Sequence, residues 1–211
     1  MVFDSERDIK CVLVQHPKLT YNEDSKCFTG ALIVSGDDEY EVKIDISNIP
    51  HRLPVLYELG DRIPNKPDRH KYDGTDICCV TTRAMGQVLL KKEIKSLLDY
   101  IHRLAIPYLQ NNSFYELNGK YVMGEYSHGL DGVVEAYFDI LNIHEIHAVL
   151  YVMKSRLNGV KIRIHDPCYC GSGKKLKSCG NHDTCYRLFR LIDVSIIEVD
   201  CRSLLTSIGP N

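Results

Sequence analysis

The clearest periodicity in the first third of the chain is the alternation of apolar and polar residues from Tyr40 to Ile46, YEVKIDI, which is what a strand with one buried face requires. It follows a second β-prone run, FTGALIV from Phe28 to Val34, with the polar link SGDDE between them. The pair predicts a β-hairpin. The earlier run CVLVQ from Cys11 is too short to decide between a strand and the end of a first helix. From Asn48 to Asp68 four prolines exclude a long helix and predict an irregular connector with a strand inside it. Leu89, Leu90, Ile94, Leu97, Leu98, Ile101 and Leu104 recur at spacings of three and four, predicting one amphipathic helix that stops before Pro107. Turn-rich sequence follows, including GEYSHGLDG. Two further helices are expected from Val133 to Leu141 and from Ile146 to Leu157, with His144 and Glu145 at their junction. The pattern as a whole is α/β, of the α+β kind: a hairpin and a connector strand followed by helices, with a small knuckle at the C-terminus.

Composition narrows the function classes. A hydrophobic fraction of 44%, a charged fraction of 26% and a formal net charge of −2 are those of a globular protein with no overall attraction to nucleic acid, so no nucleic-acid partner is expected. No apolar run approaches the roughly 20 residues of a spanning helix, and the first residues lack the pattern of a signal peptide, so a cytoplasmic protein without a membrane partner is expected. Nine cysteines in a reducing compartment point to metal binding, catalysis or burial before disulfides.

The densest chemistry lies in PCYCGSGKKLKSCGNH, where Cys168 and Cys170 form a C-x-C pair and Cys179 follows on the far side of a glycine- and lysine-rich loop. Thiolates so spaced suit a tetrahedral zinc ion, and Gly171 and Gly173 give the backbone room to fold around it. His182 is the expected fourth ligand, with Cys185 the alternative. Four protein ligands leave no open position, so this zinc is structural. Lys174, Lys175 and Lys177 either touch an acidic partner or form a solvated loop. The segment resembles the SEC-C motif, found at the end of the bacterial secretion ATPase and on many unrelated bacterial proteins. That motif usually carries its fourth ligand directly after the third cysteine, where Gly180 and Asn181 stand here.

The second constellation is His70, Asp73, Gly74, Asp76, Cys78 and Cys79 in HKYDGTDICCV. A cysteine beside a turn accepts an acyl group when its thiolate is accessible and a donor steadies the developing oxyanion. His70, Asp73 and Asp76 are candidates to orient or deprotonate an incoming nucleophile. His128, in a turn with Glu125 and Asp131, either lines such a site or caps a loop. Cys11, Cys27 and Cys201 sit in contexts that suggest packing.

Taken in order, the hairpin FTGALIV and YEVKIDI, the proline-rich NIPHRLPVLYEL and the loop HKYDGTDICCV resemble the ubiquitin-conjugating (UBC) family, most closely its bacterial members, which also carry a GEYSHGLDG-like segment and a SEC-C tail. The resemblance implies a UBC-like domain, an antiparallel meander sheet flanked by helices, over residues 1–157 and a zinc-binding tail over 158–211. It also implies that Cys78 accepts a ubiquitin-like modifier as a thioester from an activating enzyme and passes it to a target nucleophile. Cys79 is the alternative acceptor. Family members usually have His-Pro-Asn where His70, Lys71 and Tyr72 stand, and a glycine three rather than four residues before the cysteine. A UBC-like adaptor without catalysis is the alternative function, and a setting in bacterial operons for defence against phage is implied by the resemblance alone.

Overall fold

The computed structural model describes residues 5–66, 69–122 and 126–208, with the side chains of Ser5 and Ile208 excepted. The chain forms two compact units. The described residues of Met1–Thr81 and Lys92–Glu125 make the first; those of Thr82–Lys91 and Tyr126–Asn211 make the second. This division differs from the expected break at 157, because the helices on either side of residue 145 share a core with the tail.

In the first unit α1 (Ser5–Gln15) leads into a four-stranded antiparallel meander of β1 (Leu19–Asn22), β2 (Cys27–Ser35), β3 (Asp38–Asp45) and β4 (Val55–Glu58). The CVLVQ run therefore ends a helix. The expected hairpin is β2–β3, with Phe28 opposite Ile44 and Leu32 opposite Tyr40. Alternation does what the sequence pattern requires: Tyr40, Val42 and Ile44 are buried while Glu41 between them is exposed. The strand inside the proline-rich connector is β4. After it, α3 (Leu97–Tyr100), a π-turn (Ile101–Ala105) and α4 (Ile106–Asn118) run on as one continuous rod. This rod covers the sheet: Gln110 donates from Nε2 to the Val34 carbonyl at 2.7 Å, and the hydroxyls of Tyr40 and Ser113 meet at 2.8 Å.

The single helix expected over 89–104 is broken at one end and overrun at the other. α2 (Arg83–Lys92) stops, and Ser96 starts a new helix by accepting the Asp99 N–H on its hydroxyl, while the Asp99 carboxylate takes the Lys95 N–H at 2.8 Å. Two reciprocal caps outweigh the continuing apolar period. Pro107 ends nothing, because the π-turn has already changed the hydrogen-bond pattern ahead of it. The Ile106 N–H reaches back five residues to the Ile101 carbonyl, and the proline sits in the first turn of α4, where a missing N–H costs little.

In the second unit, α5 (Gly129–Leu141), α6 (Ile146–Leu157), α7 (His182–Phe189) and α8 (Val194–Ile208) pack with α2 residues Ala84 and Val88 around Tyr137, Val149, Met153 and Phe189. α5 and α6 lie where expected, and Glu145 caps α6 by accepting the N–H groups of His147 and Ala148. α7 and α8 lie beyond the helices expected from the sequence, and they bury Tyr186, Phe189, Ile197, Cys201 and Leu204. Cys168, Tyr169, Leu176 and Cys179 of the knuckle belong to the same core. Among the described residues, no helix is long and apolar enough to cross a membrane.

Candidate functional site

The segment after β4 folds over a buried charge pair. Lys71 and Glu58 are 3% and 0% exposed, and the ammonium donates to the Glu58 carboxylate at 3.1 Å, the Glu58 carbonyl at 3.3 Å and the Ile63 carbonyl at 3.2 Å. Its three protons thus have three acceptors. The carboxylate in turn accepts the backbone N–H groups of Gly60, Arg62 and Ile63. A pair so completely satisfied is the condition under which two charges survive removal from water.

Above this pair the chain doubles back at Asp73 and Gly74. Lys71 bridges Cys78 in antiparallel fashion, Ile77 bridges Tyr57 of β4, the Tyr72 N–H donates to the Ile77 carbonyl, and the Cys78 N–H donates to the Leu56 carbonyl at 2.8 Å. Extended backbone sends successive side chains to opposite faces. Cys78 points inward, 4% exposed, and burial pushes its thiol up to about 12, with contact from Tyr108 and the charge of Lys71 offsetting only part of the effect. Cys79 takes the other face and is partly exposed. Of the two thiols, the accessible one is therefore Cys79, and Cys78, the first choice for acyl acceptance, has the environment of a packed residue.

His70 lies directly across from Cys79, its carbonyl accepting the Cys79 N–H at 2.7 Å and the Tyr108 hydroxyl at 2.9 Å. It is 7% exposed, holds a left-handed backbone with φ 53°, and packs its ring edge-on to Tyr121 at 5.2 Å between centroids. Asp73 and Asp76 are exposed on the turn, Asp76 with its carboxylate 3.9 Å from the Lys71 ammonium. His128 belongs to the second unit, where it is the exposed residue that begins α5; Asp131 lies in the first turn of that helix, and Glu125 lies outside the described residues.

The second site is compact. The Sγ atoms of Cys168, Cys170 and Cys179 and a ring nitrogen of His182 all lie within 4.8 Å of one another. Cys168 Sγ is 3.3 Å from His182 Nδ1, and Cys170 Sγ is 3.4 Å from Cys179 Sγ. Ligands at the corners of a tetrahedral zinc site would stand about 3.6–3.8 Å apart given its bond lengths, so the donors need to move only slightly. Gly171 and Gly173, at φ 77° and 74°, turn the loop between them through a conformation that side-chain-bearing residues avoid. His182 is chosen over Cys185 by its other nitrogen: Nε2 donates to the Asn142 carbonyl at 3.0 Å, which leaves the Nδ1 lone pair facing the thiols. Cys185 is buried, its thiol raised by burial, and is not part of the cluster.

Cys168 and Cys170 differ in their hold on a proton. Burial pushes Cys168 up to about 12, whereas at Cys170 burial is outweighed by hydrogen bonds from Ser172 and the neighbouring thiols, which bring it down to about 6. The cluster is soft, anionic on demand and pre-folded, and it can bind a metal ion. Against this geometry the comparison with known proteins is blank: no protein-family model, no curated protein and no solved structure matches the chain.

Two outcomes follow. Lys71→Met should destabilise the protein by about 3–5 kcal/mol in denaturant unfolding, because it strands a buried carboxylate, and adding Glu58→Leu should recover much of the loss; equal instability of the double variant would contradict a paired origin. Titration with Co²⁺ should give thiolate charge-transfer absorption saturating at one ion per chain. Cys170→Ser should weaken it strongly, while Cys185→Ser should leave it unchanged.

Proposed function

We propose that this protein is a conjugating enzyme of the UBC type that carries a ubiquitin-like modifier as a thioester on Cys79, and that a structural zinc ion bound by Cys168, Cys170, Cys179 and His182 organises its second unit. The observation that carries the catalytic reading is the split of the vicinal thiols, one buried and one partly exposed, on a short hairpin that follows a helix and a four-stranded meander. In this reaction the Cys79 thiolate attacks the carbonyl of the activating enzyme's thioester, and that enzyme's thiolate leaves. A target nucleophile then attacks the new thioester, and the Cys79 thiolate is released as amide or ester forms. Backbone ties hold the acceptor: the Cys79 N–H is anchored on the His70 carbonyl, which Tyr108 anchors in turn. Positioning of this kind is where such a reaction gains rate. Asp73 and Asp76, exposed on the turn before the acceptor, are the groups left to orient the nucleophile, His70 being buried against Tyr121; zinc, fully ligated by protein, takes no part in the chemistry. A cytoplasmic setting belongs to the same reading.

One observation favours the adaptor instead: His70 and Cys78, the positions that the family resemblance makes chemical, are both buried. The two readings separate on a gel. With the cognate activating enzyme, modifier and ATP, the native protein and Cys78→Ala should form a reductant-sensitive adduct. Cys79→Ala should not, and Cys79→Ser should form one that resists reductant. An adduct that survives Cys79→Ala and disappears with Cys78→Ala returns the acceptor role to Cys78. No adduct in any form leaves the adaptor.

A further inference from the structure

Outside both sites, two imidazoles from distant parts of the chain face each other at the surface of the first unit. His16 follows the last residue of α1, its N–H still bonded to the Val12 carbonyl; His102 is the second residue of the π-turn. Their Nε2 atoms are 3.2 Å apart, with ring centroids at 5.3 Å and planes inclined by 65°. Two nitrogens on one tetrahedral ion with Zn–N bonds of about 2.0–2.1 Å stand roughly 3.3 Å apart, so the separation already matches a shared metal.

From this we propose that His16 and His102 form a second, solvent-open site for a divalent transition-metal ion of the imidazole-preferring kind, Zn²⁺, Ni²⁺ or Cu²⁺, with water completing the coordination. The backbone supplies an independent pointer. Long helices seldom contain a π-turn, and those that do commonly have it at functional positions, where it redirects a side chain; this one contains His102. The local charge permits a cation. Arg103, the next residue, is engaged by Glu93 at 3.5 Å and Asp99 at 3.9 Å, so its charge is matched by two carboxylates. His16 is partly exposed and His102 exposed, which leaves a route for the ion. A bound ion would clip the end of α1 to the rod formed by α3, the π-turn and α4.

The test uses untagged full-length protein already saturated with one equivalent of Zn²⁺ and titrated calorimetrically with more. A second, weaker equivalent should appear, and His16→Gln and His102→Gln should each weaken it by roughly tenfold or more. The same weak equivalent should persist in Cys170→Ser, which separates it from the cysteine cluster. In the native protein, the imidazole resonances of both histidines should shift together as the second equivalent is added. Absence of that equivalent, its survival unchanged in both histidine variants, or movement of only one ring would each overturn the proposal and leave an ordinary hydrogen bond between neutral rings.

Discussion

A lysine ammonium cannot remain in a protein interior unless each of its protons finds an acceptor, and that requirement at Lys71 organises the open edge of the first unit. Glu58 at the end of β4 supplies both its carboxylate and its carbonyl, and the connector after it must loop so that Ile63 supplies the third acceptor. With Lys71 held inward, its antiparallel partner Cys78 is held inward as well. The next residue then faces outward. A buried ion pair thus decides which of two adjacent thiols is available, and a one-residue slip of the hairpin would exchange them.

The second unit rests on a comparable constraint with different chemistry. Three thiols and an imidazole are gathered on a loop too short and too rich in glycine to have a core of its own, yet Cys168, Tyr169, Leu176 and Cys179 reach into the core built by α5 to α8. The Asn142 carbonyl at the end of α5 orients His182, and the Tyr169 hydroxyl donates to the carbonyls of Leu141 and His182. A metal ion held by this cluster would therefore share residues with the helix packing. Binding an ion in such a place would steady the surrounding helices as well as the loop.

Much of this was legible in the sequence where one signal acted alone. The alternation in YEVKIDI identified β3, the prolines marked the connector around β4, and the thiol spacing located a cluster that, with His182, could hold a metal ion. Legibility failed where a local cap or a long-range pairing prevailed over periodicity. Ser96 and Asp99 start a helix in the middle of an unbroken apolar period, and the π-turn carries the chain past Pro107. The opposed faces of Cys78 and Cys79 were hidden for a further reason. Lys71 reads as a surface residue between His70 and Tyr72, and its burial depends on Glu58, thirteen residues away on another strand. The boundary at 157 had the same origin, since α5 and α6 show their apolar faces in sequence but not the partner those faces cover.

The paired thiols differ in access: Cys79 is partly exposed, and Cys78 is packed over Lys71 and Glu58. The most direct measurement is a short pulse of iodoacetamide on the native, metal-loaded protein, followed by denaturation, a second isotopically distinct alkylation, and mass spectrometry of the peptide spanning both residues. The account predicts that the native-state label falls on Cys79 and the denatured-state label on Cys78. Native-state labelling of Cys78 at the same rate as Cys79, or ahead of it, would contradict it.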